Sequence, residues 1–251
     1  MDRSRVLFFD LELTGFYDRD EIISISICDA NGNMIMNTLV RPTHTRKWNK
    51  TEKIHGITPE MTVGAPTLEE LTPRIKEIFA GADRIIAYGV STDYSHIKYI
   101  YPTEEERRAL WAKIRCCANE FVRYIHECRP EVEHASLTDA MACLGIEWDG
   151  VAHTSIADTI GCMKVWEKLF PNYYIETGAA DPDPEAPVED KYSICDDNDD
   201  DEGDEEAAAI DPAERSTLFD IDLYALAADD GSDDDNESAA EAGADGASNA
   251  E

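Results

Sequence analysis

The amino-acid sequence predicts an α/β fold in which one mixed five-stranded sheet is flanked by helices and followed by an acidic tail. Three observations predict it. Short apolar runs typical of strands alternate with helical apolar spacing over residues 1–178. The second and third of these runs are joined by a short polar segment typical of an antiparallel hairpin. After residue 178 the apolar patterns give way to a long acidic stretch.

The first three strands are predicted from their apolar patterns. Residues Arg5–Asp10 form a near-continuous apolar run, which is typical of a strand buried on both faces. Residues Glu21–Ala30 alternate apolar and polar side chains, and residues Met34–Val40 do so more loosely. The Asn-Gly-Asn segment between them is a hairpin signal.

The rest of the domain is predicted to alternate helices and strands. A capping box formed by Thr67 and Glu70 should begin a helix over residues 67–79, and Pro73 should kink this helix or remove its first turn. Further strands are predicted at residues 84–88 and 113–117. Further helices are predicted at residues 93–101, from residue 117 to 127, at 137–144 and at 155–169.

The charge is distributed unevenly along the chain. The net charge is −32, and residues 179–251 contain 27 acidic and two basic residues, so they carry −25 of it. Such a segment buries too little apolar surface to offset the cost of ordering. The sequence therefore predicts one domain over residues 1–178 and a mostly disordered tail over residues 179–251. The tail is interpreted as a solubilising extension or as a competitor for anionic substrates, and its apolar segment Leu218–Leu226 as a docking motif for a protein partner.

Cysteine usage and hydropathy indicate the compartment. Seven cysteines without a Cys-x-x-Cys pair predict free thiols in a reducing environment. The N-terminus reaches a charged residue after four apolar residues, which is too short for a signal peptide. No stretch approaches the ~18 apolar residues of a membrane span. We therefore expect a cytoplasmic protein that makes no contact with membranes.

A pair of carboxylates marks the end of the first strand. Asp10 and Glu12 are two residues apart, so both side chains point to one face of the strand. The turn Leu13–Gly15 follows, and its backbone N–H groups could hold a substrate hydroxyl or phosphate. Taken alone, such a pair is also typical of a solvated strand end.

Two further segments carry acidic residues at the start of helices. Asp93 follows the fourth strand, and His153 precedes Asp158 by five residues at the start of the last helix. Acids in a first helical turn also interact favourably with the helix dipole, which is the alternative interpretation. All these groups are expected at one edge of the sheet. Four carboxylates cannot all stay ionised in one site without a counter-charge, so together they predict a divalent metal site.

The segments FFDLELTG, IIAYGVSTD and HTSIADT, together with IHGITPEM, resemble the motifs of the DEDDh family of 3′–5′ exonucleases. The likeness covers about residues 5–170 and implies an RNase H-like fold. It departs from the common family pattern at Leu13, Gly89, Thr92 and Cys116. None of these positions is an expected metal ligand.

The resemblance implies a role for each site residue. Asp10, Glu12, Asp93 and Asp158 would bind two divalent ions, and carboxylate ligands favour Mg²⁺ or Mn²⁺. His153 would be the general base. The residues expected to bind substrate are Leu13, Thr14, Gly15, His55 and Ile57.

The sequence therefore predicts a metal-dependent 3′–5′ exonuclease that acts on the 3′ ends of DNA or RNA by a two-metal-ion mechanism. Two alternatives stay open: a ribonuclease of the same family for RNA oligomers, and a non-catalytic module with a decayed site that binds nucleic acid or a replication partner. Basic residues around Trp48 are interpreted either as a rim that follows phosphates, with Trp48 stacking on bases, or as an ordinary basic loop. They are Arg46, Lys47, Lys50 and Lys53.

Overall fold

A five-stranded mixed sheet lies at the centre of the described residues, which are residues 1–174 of a computed structural model. The predicted tail and its segment Leu218–Leu226 lie outside the described residues. The strands are β1 (Val6–Leu13), β2 (Ile22–Asp29), β3 (Met34–Leu39), β4 (Arg84–Ala87) and β5 (Ile114–Cys116), in the spatial order β3-β2-β1-β4-β5. The β1–β2 and β2–β3 pairs are antiparallel, whereas β4 pairs in parallel with β1 and with β5. The prediction of a mixed five-stranded sheet is confirmed.

The helices flank this sheet. They are α1 (Asn49–His55), α2 (Pro59–Thr62), α3 (Leu68–Gly81), α4 (Val90–Ile97), α5 (Glu104–Trp111), α6 (Cys117–Ile125), α7 (Leu137–Cys143) and α8 (Ser155–Leu169). Three of them, α1, α2 and α5, were not predicted. The bounds of α8 agree with the predicted helix at 155–169.

Strand β1 separates the main hydrophobic core from the face that carries the acids. Leu7, Phe9 and Leu11 pack with α3 in the main core, where the rings of Phe9 and Phe79 meet edge to face at 5.5 Å. Because side chains alternate along a strand, Asp10 and Glu12 point to the other face. The strand continues three residues beyond its predicted end, so both acids lie within it.

Strand β2 is buried along its whole length, including the polar positions of its alternating pattern. It lies between β1 and β3, and its serines face α8. The hairpin to β3 forms at the predicted Asn-Gly-Asn segment. There the carboxylate of Asp29 accepts hydrogen bonds from the backbone N–H groups of Asn31 and Asn33, each at 2.9 Å.

Two helix starts differ from the prediction. Helix α3 keeps its first turn despite Pro73, because the Thr67–Glu70 capping box holds its N-terminus and the Leu71 N–H bonds the Thr67 carbonyl at 3.1 Å. Helix α4 begins at Val90, after Gly89 with its φ of 75°, and not at residue 93 as predicted. The left-handed conformation at Gly89 turns the chain sharply from β4 into the helix.

The cysteines of the described residues are all free thiols, and four of the six are buried: Cys28, Cys117, Cys143 and Cys162. This agrees with the prediction of free thiols, and the four buried ones are part of the hydrophobic core. In residues 1–174 no helix combines the length and the apolar character needed to cross a membrane.

Candidate metal centre

Three carboxylates from β1 and α8 meet beside the sheet. Asp10, Glu12 and Asp158 each offer one oxygen, and these three oxygens lie within 4.8 Å of one another. Strand alternation directs the first two residues toward α8, and Asp158 lies in the first turn of that helix. Several carboxylate oxygens at this spacing are a donor set that suits a hard divalent cation.

Buried serines hold α8 against the sheet at this position. The hydroxyl of Ser155 lies 2.7 Å from that of Ser24 and 2.8 Å from that of Ser26. In the β1–β2 ladder, Ser24 is paired with Glu12 and Ser26 with Asp10. The serines that bind the first residue of α8 are thus the cross-strand neighbours of the two acids.

Asp93 is a fourth carboxylate near this group. It lies in the first turn of α4 and is buried, with 5% of its surface exposed. Its charge contributes to raising the pKa of Asp10 and of Glu12. Asp93 is not one of the three residues whose oxygens meet within 4.8 Å, so α4 brings it to the edge of the group.

Burial and like charge both oppose ionisation in this group. Burial, followed by the charges of Asp93 and Glu12, raises the pKa of Asp10 well above its ordinary value. Burial and the charges of Asp158 and Asp93 raise the pKa of Glu12 to about 8. Burial also raises the pKa of Asp158, although its contact with His153 opposes the shift. Among the described residues, positive charge near these carboxylates is therefore too scarce to offset their repulsion, and a bound divalent cation would supply it.

His153 lies on the loop that enters α8. Its φ of 62° makes it the one non-glycine residue in the left-handed region among the described residues. Its backbone N–H donates to Oδ1 of Asp158 at 3.1 Å, and its side chain is exposed. Strained backbone of this kind is concentrated at functional sites.

The turn after β1 is held by bonds within the protein. The Thr14 N–H donates to the carbonyl of Glu21 at 2.9 Å, and the Thr14 hydroxyl accepts from the Glu21 N–H at 3.0 Å. Leu13 and Thr14 are buried. At Gly15 a Cβ would lie 2.3 Å from Oδ2 of Asp20, so any larger residue would require that carboxylate to shift. The Thr14 amide, one of the groups expected to hold substrate, is therefore used inside the turn.

His55 and Ile57 are also buried. Nδ1 of His55 accepts from the Ile57 N–H at 3.0 Å, and burial lowers the pKa of His55 while the Leu13 backbone opposes this shift. The contact between His55 and the Leu13 backbone places the end of α1 beside the end of β1. Trp48 is buried against Ile57 and Ile23, and its Nε1–H donates to the Ile57 carbonyl at 2.7 Å. The prediction that Trp48 stacks on bases is wrong, because its ring is part of a small core.

The sequence predicts no interaction for one histidine near the site. His96 is buried in α4, with Nδ1 2.8 Å from the Thr92 carbonyl oxygen and Nε2 3.2 Å from that of Tyr17. It thereby links the helix of Asp93 to the loop that follows Gly15. No side-chain motif announces this link, because both of these partners are backbone carbonyl groups.

Comparisons with known proteins match this architecture. The family model described as "RNase_T: Exonuclease" matches residues 7–166. The uncharacterized exonuclease CP81 of Escherichia phage 186 is 31% identical over 170 residues, covering 61% of this chain and 81% of that protein. The DNA polymerase III subunit epsilon of Aquifex aeolicus is 28% identical over 177 residues, covering 68% and 83%.

Solved structures show the same fold. E. coli exonuclease I in complex with a dA16 oligonucleotide superimposes with a TM-score of 0.53 at 20% identity, covering 66% of this chain and 40% of that chain. The nuclease domain of 3′hExo, a DEDDh family member bound to rAMP, superimposes with a TM-score of 0.54 at 15% identity, covering 67% and 92%. The chain thus spans less than half of the exonuclease I chain and most of the 3′hExo domain.

Proposed function

We propose that this chain, which belongs to the RNase T exonuclease family, is a metal-dependent 3′–5′ exonuclease that hydrolyses phosphodiester bonds at the 3′ ends of DNA or RNA. One observation carries the proposal: the oxygens of Asp10, Glu12 and Asp158 meet within 4.8 Å in a domain of this family.

The carboxylates would hold the metal. Asp10, Glu12 and Asp158 would hold the two divalent ions, Mg²⁺ or Mn²⁺, and Asp93 would complete the site directly or through water. When bound, such a pair of ions favours ionisation of the attacking water and stabilises the leaving 3′ oxygen. The raised pKa values of the carboxylates support this assignment, because a cation would relieve their mutual repulsion.

His153 would take the proton from the attacking water. Its imidazole is exposed, so it can reach a water molecule at the mouth of the site. The backbone hydrogen bond to Asp158 keeps the histidine close to one of the proposed metal ligands. A general base of this type typically contributes ~10²–10⁴-fold to the rate.

The substrate class follows from chemistry that DNA and RNA share. Two similar structures hold a deoxyadenosine oligonucleotide and rAMP, so the fold is compatible with both. The RNA-oligomer alternative differs only in contacts to the 2′-hydroxyl. The presence of all four carboxylates and His153 favours an active enzyme over a decayed site.

The test uses single-stranded DNA and RNA of the same sequence, labelled at the 5′ end and incubated with Mg²⁺ or Mn²⁺. We expect a ladder of products that shortens from the 3′ end and disappears with EDTA. An Asp10→Asn variant purified in the same way controls for contaminating nucleases. Activity that survives EDTA or this substitution would refute the proposal, and binding without any cleavage would favour the non-catalytic alternative.

A further inference from the structure

Four basic side chains form an exposed group on α1 and the loop before it. In the described part of the chain none of them has an ion pair or a side-chain hydrogen bond, whereas many other cations, such as Arg74 and Lys76, pair with acids. An unneutralised group of cations is unusual in a chain of net charge −32. We call this group the cationic rim; its members are Arg46, Lys47, Lys50 and Lys53.

A carboxylate fixes the backbone just before the rim. Glu21 accepts hydrogen bonds from the N–H groups of Thr43 at 2.6 Å, His44 at 3.0 Å and Thr45 at 2.6 Å. Burial alone would raise the pKa of Glu21, but the hydrogen bonds from Thr45 and Thr43 outweigh it and lower the pKa to about 2. Glu21 therefore holds residues 43–45 as an anion at neutral pH.

The other side of the rim is fixed by buried side chains. Trp48 lies between the two pairs of cations, and its indole packs against Ile23 and bonds the Ile57 carbonyl. At the end of α1, His55 bonds the backbone of Ile57. The four cations thus stand on a segment that is anchored at both ends and in the middle. Such a fixed segment loses little entropy when it binds a ligand.

The rim adjoins the candidate metal centre. Glu21, which anchors the rim, also exchanges hydrogen bonds with Thr14, two residues after Glu12. His55 lies beside the Leu13 backbone at the end of β1. Measured along the axis of α1, at ~1.5 Å per residue, Lys53 precedes His55 by ~3 Å and Lys50 precedes it by ~8 Å. Both ends of the segment that carries the cations are therefore tied to the residues that follow Glu12 at the end of β1.

We propose that the cationic rim holds the phosphates of the substrate strand on the 5′ side of the scissile bond. This inference rests on the proposed function, because a strand whose 3′ end lies at the carboxylates can extend only in its 5′ direction. Lysine and arginine contacts to phosphates are independent of base sequence. The rim would therefore raise affinity for long strands, of any sequence, over short ones.

The test compares two variants of the full chain with the same change in net charge. In the rim variant, Arg46, Lys47, Lys50 and Lys53 are replaced by Ala. In the control variant four other exposed cations are replaced by Ala: Arg5, Arg74, Arg108 and Lys168. Arg5 precedes β1 and Lys168 lies near the end of α8, so both are at the opposite end of their element from the carboxylates. Binding of a labelled single-stranded 16-mer is measured between 50 and 200 mM salt, in an Asp10→Asn background that prevents cleavage.

For single strands, each lost phosphate contact reduces the slope of log K against log salt by about 0.7, so the rim variant should lose roughly 2–3 from the slope. At 50 mM salt its affinity for the 16-mer should fall at least about ten-fold. In the same Asp10→Asn background, the rim variant should also lose most of the affinity gained as strands lengthen from two to sixteen nucleotides. The control variant should keep both properties.

Two outcomes would overturn the inference. The first is equal binding by the rim and control variants, since this would leave only an effect of overall charge. The second is a rim variant whose affinity depends on salt and on strand length as in the wild type. This would indicate that the four cations bind another partner, such as an acidic protein surface. Because binding is measured without turnover, absence of hydrolysis would refute the proposed function but leave this test readable.

Discussion

The backbone N–H of His153 donates a hydrogen bond to Oδ1 of Asp158, and His153 adopts the left-handed conformation to do so. The residue proposed as general base is thus strained, and its strain is coupled to a proposed metal ligand. Strain of this kind costs ~1–3 kcal/mol and persists only where the surrounding structure imposes it.

Replacing His153 by Gly should therefore separate stability from activity. Glycine adopts a positive φ freely, so we expect His153→Gly to unfold at the same temperature as wild type or at a higher one. The rate at saturating substrate should fall by ~10²–10⁴-fold. Calorimetry and single-turnover cleavage measure the two effects. The matched control, His126→Gly, changes an exposed histidine outside the site and should leave the rate unchanged. A wild-type rate in His153→Gly would remove this residue from the mechanism.

Replacing Asp10 or Asp158 by Asn should abolish turnover and stabilise the metal-free protein. Each substitution removes a group whose pKa is raised by burial, and hence one source of repulsion in the native state. We expect a higher unfolding temperature in EDTA, by about 2–4 °C for each kcal/mol gained, and no added stability from Mn²⁺. Loss of stability in EDTA for both variants would contradict this account of the site.

The stability of the metal-free protein should fall as the pH rises. The pKa of Glu12 is raised from 4.5 to about 8, so between these values the native state retains a proton that the unfolded state has lost. The free energy of unfolding therefore decreases across this window. Thermal unfolding in EDTA between pH 5 and pH 8.5 measures it, and Mn²⁺ should raise the unfolding temperature more at pH 8 than at pH 5.5. In a Glu12→Gln variant the free energy of unfolding should decrease less with pH. Equal slopes in the variant and the wild type would show that Glu12 is not the cause of the decrease.

The buried serines give a prediction about how α8 is held. Ser155→Ala removes the partner of the Ser24 hydroxyl, and a buried polar group without a partner costs ~1–3 kcal/mol. Replacing Ser24, Ser26 and Ser155 together by Ala leaves no such group behind, so the triple variant should be destabilised less than the single one. Urea unfolding of both variants tests this. A triple variant that loses the sum of its single effects would show that the serines act independently.

Glu21→Gln should loosen the segment that carries the cationic rim. The charged carboxylate is the acceptor for three backbone N–H groups, and its low pKa means that its contribution is present above about pH 4.5 and is lost as the pH falls toward about 2. At pH 7 we expect faster amide hydrogen exchange at residues 43–45 in the variant. Glu52→Gln, a change in α1 itself, serves as the control and should leave that exchange rate unaltered.

The sequence was sufficient for the parts of the fold that depend on local patterns. The strands follow their apolar runs, and α8 begins after Thr154, whose side chain accepts a hydrogen bond from the Ala157 N–H as a cap should. Helix α5 was missed because Leu110 is its one buried residue and it therefore shows little apolar periodicity. Its capping box, Thr103 with Glu106, was the available signal.

The features set by tertiary contacts were not predictable in the same way. Trp48 has basic neighbours in sequence, which suggested an exposed stacking surface, but packing against Ile23 and Ile57 places it inside. His96 and Glu21 bind backbone groups of distant segments, and such partners leave no side-chain pattern. The proximity of Asp10, Glu12 and Asp158 was predictable. The order of strands and helices along the chain places the end of β1 and the start of α8 at the same edge of the sheet.

The dependence of the site on α8 has a consequence for how the protein is made. Asp10 is synthesised 148 positions before Asp158. At ~5–20 residues per second, the ribosome needs roughly 7–30 s to add the residues between them. Until α8 has emerged and its Ser155 has docked on β2, Asp10 and Glu12 lack their third carboxylate. The three carboxylates of this centre therefore come together only after residue 158 has left the ribosome.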